Sequence, residues 1–278
     1  MIKKLKVFAI VLVCLAIAGV LFVMSPLFPY ARSLAVMAVY SHVCEEDSVM
    51  EDENIELQIP GGGATNEIDW YPFVMTFTAN EEFSDFIGTP NEKLTILYNF
   101  PAFKMKKGCS RLFDPNSPYY NGFYGAYLVQ QEDGSPYGFD AEGNLDSDAV
   151  AKVAEFDFFS LVLEDFGLQK EEEVFTCDNV DLEDGYSFAG HDGWTRMSAD
   201  IMVNGAAHKA QEDVQSYLQY GKPAYAIDAP FAPVEMKTVV YGRYFEEWNT
   251  SVFFYVMATD ENVCRRCENQ ILRASVLE

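Results

Sequence analysis

EMKTVVYGRYF at 235–245 and SVFFYVMA at 251–258, joined by EEWNT at 246–250, decide how this chain folds. Both runs are dense in Val, Phe and Tyr, the side chains that fit a pleated sheet best. The five-residue link has the length of a hairpin connection, so the pair predicts two antiparallel strands. Working outward, the same chemistry predicts strands at Ile55–Ile59, Trp70–Thr78, Leu94–Phe100, Phe123–Val129, Glu173–Cys177 and Thr195–Val203. Two segments read as main helices. Ser147–Phe166 has a cap at Asp146 or Ser147 and a stop at Gly167. Its apolar residues wrap most of the circumference, which predicts burial. Ala206–Tyr220 follows Asn204 as cap and ends before Gly221, and Asn80 can start a short third helix over Glu81–Ile87. Strands come in pairs and helices interrupt them singly. That order predicts an α+β fold, mostly antiparallel sheet with two main helices, in one unit without an internal linker.

Upstream lies a different kind of segment. Val7–Met24 is an apolar run of 18 residues without a charge, preceded by Lys3, Lys4 and Lys6. As a helix it would span roughly 27 Å, close to the roughly 30 Å of a bilayer core. Lysines before it and none just after predict one transmembrane helix in the cell membrane, with its N-terminus cytosolic and the remaining chain outside. Ala16-Ile17-Ala18 has the form of a signal-peptidase site, but the apolar run continues through Met24, which favours an uncleaved anchor. The expected layout is an anchor at 1–24, a membrane-proximal stem at 25–54 and an extracytoplasmic domain at 55–278. Pro26 and Pro29 should end the anchor helix. Leu34–Tyr40 is too short to span, and Glu45–Asn54, with six acidic residues in ten, reads as a solvated spacer.

Charge is divided sharply along the chain. All 43 acidic residues follow position 44, where only 15 of the 19 basic groups lie, so residues 45–278 carry a net charge of −28. Such a domain repels nucleic acid and anionic lipid, and favours a cationic protein or peptide as partner. Hydrophobic residues at 49% and aromatics at 15% exclude a disordered chain. Beyond Cys14, inside the apolar run, remain Cys44, Cys109, Cys177, Cys264 and Cys267. Five is an odd number, so two disulfides among Cys109, Cys177, Cys264 and Cys267 are expected, with Cys44 left to bridge two copies as a homodimer.

Several motifs suggest chemistry. Asp140, Glu142, Asn144, Asp146 and Asp148 alternate over nine residues before a helix, a spacing that could gather oxygens around calcium, or simply form a polar turn and helix cap. Asp178, Asp181, Glu183 and Asp184 form a second acidic segment, read as a loop. Cys264-Arg-Arg-Cys267 has the CxxC spacing of thiol redox sites, and Arg265 and Arg266 would favour a thiolate. Only 11 residues follow it, though, and a structural disulfide is the plainer reading. Gly185-Tyr-Ser187-Phe-Ala189 approaches a nucleophile elbow, with His191 and His208 downstream, but lacks the last glycine and the chain order of such hydrolases. Lys104, Lys106, Lys107 and Arg111 are a docking point for an anionic group or a solvated loop. Tyr119, Tyr120, Phe123, Tyr124 and Tyr127 are either an exposed stacking platform or an aromatic core strand. Gly61-Gly62-Gly63 lacks the Gly-Lys-Ser/Thr of a phosphate loop. The leading expectation is a membrane-anchored, acidic binding domain without an evident catalytic site. The alternatives are an extracytoplasmic cation-dependent hydrolase and a thiol-redox protein using Cys264 and Cys267.

Overall fold

The structure, a computed structural model, describes residues 2–25, 27–62, 69–104, 109–164, 167–206, 231–270 and 272–278. Pro233–Phe245 and Thr250–Ala258 form the antiparallel hairpin that the sequence implies, with Val240 opposite Tyr255 and Tyr241 opposite Phe254. These are β9 and β10. Around them stands a seven-stranded antiparallel sheet. It adds β2 (Met75–Thr78), β3 (Lys93–Asn99), β6 (Phe123–Gln130), β7 (Phe175–Phe188) and β8 (His191–Asn204), in the order β2-β3-β6-β10-β9-β8-β7. Two small ribbons complete the strands. β1 (Leu57–Gln58) pairs β11 (Val276–Leu277), and β4 (Phe103–Lys104) pairs β5 (Cys109–Ser110).

Every residue of β10 is buried, because both faces of the sheet are covered. On one face Phe253, Tyr255 and Met257 join Ile96, Tyr127 and Met197. On the other, Val252, Phe254 and Val256 join Leu97, Tyr124 and Tyr241. The period-2 alternation of a strand thus feeds two cores from one run of sequence. Six α-helices are described, not two main ones. They are α1 (Ile2–Val23), α2 (Leu27–Glu46), α3 (Val49–Glu53), α4 (Asn80–Ile87), α5 (Ser147–Phe156) and α6 (Glu261–Gln270). The first face lies under α4 and α5, where Phe83 meets Phe156 at 5.3 Å. The second lies under α3, α6 and the β1–β11 ribbon. The C-terminus is fixed by the exchange of bonds between Glu56 and Glu278, at 2.8 and 2.9 Å.

Asp146 caps α5 as expected, accepting from the amides of Asp148 and Ala149. The expected helix to Phe166 changes character at Asp157, however, and continues as a π-helix over Asp157–Leu163. The wider turn keeps Asp157, Phe158, Phe159, Val162 and Leu163 all buried. Asn80 does not cap α4; its side chain accepts from the amide of Leu94 on β3 at 2.9 Å. The expected helix at Ala206–Tyr220 lies, beyond Ala206, outside the described residues.

The N-terminal fifth of the chain is helical, and much of it packs on the sheet. α1 is long and apolar enough to cross a bilayer, and the window Lys6–Val23 buries nothing against the protein. Pro29 begins no break: it sits in the first turn of α2, where its missing N–H has no intrahelical partner to lose. Leu34–Tyr40 belongs to α2, which packs on the sheet edge. Met37 is 1% exposed, Tyr40 meets Phe77 at 5.5 Å, and Ser41 Oγ accepts from the amide of Thr76 at 2.8 Å. Glu45–Asn54 is no solvated spacer. Ser48 caps α3, Val49 and Met50 are buried, and Thr95 Oγ1 accepts from the amide of Val49 at 2.9 Å. Residues 34–54 are therefore part of the fold.

Candidate functional site

The two edges of the sheet differ. β2 has four residues and its outer side is covered by α2. β7 has fourteen, and no described strand pairs its outer side. The segment Asp178–Asp184, expected as an acidic loop, is instead the middle of this strand. It stays a strand because β8 pairs with it and because its turn-forming residues are absorbed as irregularities. Asn179 and Gly185 adopt φ of 53° and 82°, and the register shifts between Asp178 and Asp181 and between Glu183 and Tyr186. Ala189 and Gly190, both with positive φ, close the β7–β8 turn in two residues.

Along this open edge Asp178, Asp181, Glu183 and Asp184 are exposed, interleaved with exposed Val180 and Leu182. Their hydrogen-bond partners among the described residues are neutral. Thr195 donates to Asp184 at 2.6 Å, Thr176 to Asp178 at 3.2 Å, and Tyr186 to Glu183. Among the described residues none of the four forms an ion pair. Arg196, opposite Glu183 on β8, is engaged by Glu268 at 2.9 Å, and Lys237 on β9 by Asp200 at 2.6 Å and Glu235 at 3.2 Å. Four carboxylates without an ion pair among the described residues, beside backbone that no described strand pairs, can accept a cationic extended chain.

At the tip of the same hairpin a cleft of about 510 Å³ is lined by Tyr186, Ser187, His191, Tyr241 and Arg273, among others. Ser187 donates to Asp192 at 2.5 Å. The His191 ring nitrogen lies 2.9 Å from the carbonyl of Leu277, and its ring stands against Phe245. Ser187 and His191 therefore have other partners, and the motif sits in a hairpin rather than a strand–helix turn. His208 lies outside the described residues.

Two of the calcium candidates, Asp140 and Asp146, turn their oxygens on their own segment. Asp140 accepts from the amides of Glu142 and Asn144 and from the Asn144 side chain, which holds its carboxyl below the usual range. Asp146 is the cap of α5, while Glu142 and Asp148 lie within the same turn and cap. Among the described residues no three His, Cys, Asp or Glu side chains gather as metal ligands. No disulfide joins the described cysteines. Cys264 and Cys267 face inward from α6 at 3% and 0% exposure. Burial pushes the Cys264 thiol up to about 12, so the flanking arginines do not create a thiolate. Cys44 is buried too, and bridging a second copy would require α2 to move. Cys177 is half-buried, and the Cys109 side chain lies outside the description.

The aromatic run is core: Tyr119, Tyr120, Phe123, Tyr124 and Tyr127 are all buried. Within it is a polar group that the sequence does not advertise. Asp157 is 1% exposed and accepts from Tyr127 Oη at 2.7 Å, beside Tyr98 and Tyr255. Burial pushes its carboxyl up to about 7, against the opposing hydrogen bond from Tyr127. No protein-family model, curated protein or solved structure matches the chain.

Proposed function

We propose that this protein is a membrane-tethered binding module that docks a basic, extended segment of another protein or peptide on the outer edge of β7. The observation that carries the reading is the set of four exposed carboxylates without ion pairs on the open edge strand. An added strand would take the outward amides and carbonyls of β7, and its lysines or arginines would meet Asp178, Asp181, Glu183 and Asp184. Two copies of the same edge repel each other, so the charge that accepts a basic partner also opposes self-pairing. The tether is α1, with the domain outside and the lysines inside. α2 starts at Leu27 and packs on the sheet, which leaves three residues, at most about 11 Å of extended chain, between anchor and domain. The domain is then held close to the bilayer rather than on a long stalk.

The test is binding of a peptide of alternating lysine and valine to the full chain in neutral detergent micelles. Affinity should fall steeply between low and high salt. It should also fall at least tenfold when Asp178, Asp181, Glu183 and Asp184 are replaced together by Asn and Gln. Affinity unchanged by salt, or by the fourfold replacement, would contradict the proposal.

A further inference from the structure

α2 carries apolar side chains on two opposite sides, and the sheet covers only one of them. At 3.6 residues per turn Leu34, Met37, Ser41 and Cys44 fall on one side, and they are its buried or half-buried positions. Ala35, Val39 and Val43, successive turns apart, fall on the other side with Arg32, and Val36 lies beside them. All five are exposed, Val36 at 39%, Val39 at 66% and Val43 at 55%. A helix that is apolar all round is normally covered all round. The exposed side is also unlike the rest of this acidic chain. From Leu27 to Cys44 there are Arg32 and His42 but no Asp or Glu, while all 43 acidic residues follow.

Position and charge select what covers it. α2 begins three residues after α1 ends, so a bilayer that holds α1 lies within about 11 Å of the first turn of α2. A second copy would bring another domain of net charge −28 against the first. A lipid surface meets only valine, alanine and one arginine, and the arginine suits a headgroup phosphate. We propose that the outer side of α2, formed by Arg32, Ala35, Val36, Val39 and Val43, rests on the lipid surface. α2 then lies along the membrane, with the sheet on its other side. Acidic residues start at Glu45 and Glu46, in the last turn, which marks the end of the contact. The short link sets the distance of the domain from the bilayer, and α2 sets its orientation. This contact presupposes α1 as the anchor proposed above and does not involve the β7 edge.

The experiment reads lipid contact along α2 in the full chain, reconstituted in phosphatidylcholine vesicles. A fluorescent amino acid replaces Ile17, Val36, Val39 or Val43, one at a time, all of them exposed. The vesicles carry a short-range nitroxide quencher either at a shallow acyl carbon or near the bilayer centre. Ile17 should be quenched by the deep nitroxide. Val36, Val39 and Val43 should be quenched to the same extent by the shallow one and protected from aqueous iodide. Val43 lies 16 residues past Leu27, about 24 Å along the helix, so a helix standing up from the membrane would show quenching that fades from Val36 to Val43. Val39→Asp together with Val43→Asp should remove most of the quenching at position 36, because a carboxylate resists transfer into lipid. Fading along the helix, free access of iodide at all three positions, or protection from iodide without lipid quenching, as a second copy would give, would overturn the contact. With Ile17 quenched, such a result overturns the α2 contact alone; an unquenched Ile17 overturns the anchor, and the contact with it.

Discussion

Replacing Asp157 by asparagine removes one titrating carboxyl from the interior and keeps its size and its acceptor oxygen for Tyr127. The magnitude follows from the shift. Burial raises the carboxyl from 3.8 to about 7. Three units of difference between folded and unfolded chain correspond to at most about 4 kcal/mol. Its sign is fixed by proton binding. The folded state holds the Asp157 proton more tightly than the unfolded chain does, so it binds more protons between about pH 4 and pH 7. Stability from this residue is complete below about pH 4, falls as pH rises through that window and is lost above about pH 7. Other carboxylates, such as Asp69 and Asp200, are held low and act in the opposite sense at lower pH. Those contributions are common to wild type and variant, so they cancel in the difference. Urea denaturation of both proteins from pH 4 to pH 9 measures it. The variant should gain on the wild type by up to about 4 kcal/mol between the ends of the window. A constant offset between the two curves across the whole range would refute the reasoning.

A Cβ on Gly125 would lie 1.9 Å from the Leu97 carbonyl and 2.6 Å from Tyr255 Oη, so Gly125→Ala should part β3 from β6; circular dichroism melting should show a loss of many degrees, and a change under about 2 °C would contradict the packing. Phe254→Ala empties a fully buried site on the second face and should cost about 3–5 kcal/mol in urea denaturation. Asp146→Ala removes the cap of α5 and should cost about 1 kcal/mol, and calcium should not restore it, because the Asp146 carboxylate serves backbone amides. A chain starting at Leu27 should stay monodisperse by size-exclusion chromatography, whereas one starting at Glu45 loses α2, uncovers the β2 edge and should aggregate.

Much of the fold can be read from residues 235–258 outward. β3, β6, β8, β9 and β10 are rich in β-branched and aromatic side chains, and in each the local preference agrees with the pairing that tertiary structure imposes. Where that agreement ends, so does legibility. The stretch 178–188 holds four acids, an asparagine and a glycine, the composition of a loop, and only pairing with β8 makes it a strand. α2 buries a narrow stripe at Met37 and Cys44, while its exposed Val36, Val39 and Val43 blur any amphipathic pattern. Asp157 lies between Phe156 and Phe158 in a run that reads simply as helix; its burial follows from three tyrosines on three different strands. Arg266 was visible only as a neighbour of two cysteines, and the Tyr119 hydroxyl to which it donates lies 147 positions away. Long-range convergence of this kind leaves no periodic trace in the sequence. Charge was legible throughout, and it points to the same class of partner that the open edge of β7 suits.

Hydrogen exchange along β7 tests that edge most directly. The full chain in neutral micelles is compared with and without the saturating lysine–valine peptide, residue by residue. Outward amides between Phe175 and Phe188 should slow on binding, while β2, at the opposite edge, is unchanged. Peptide bound with no added protection in β7, or with protection elsewhere on the sheet, would contradict docking on this edge.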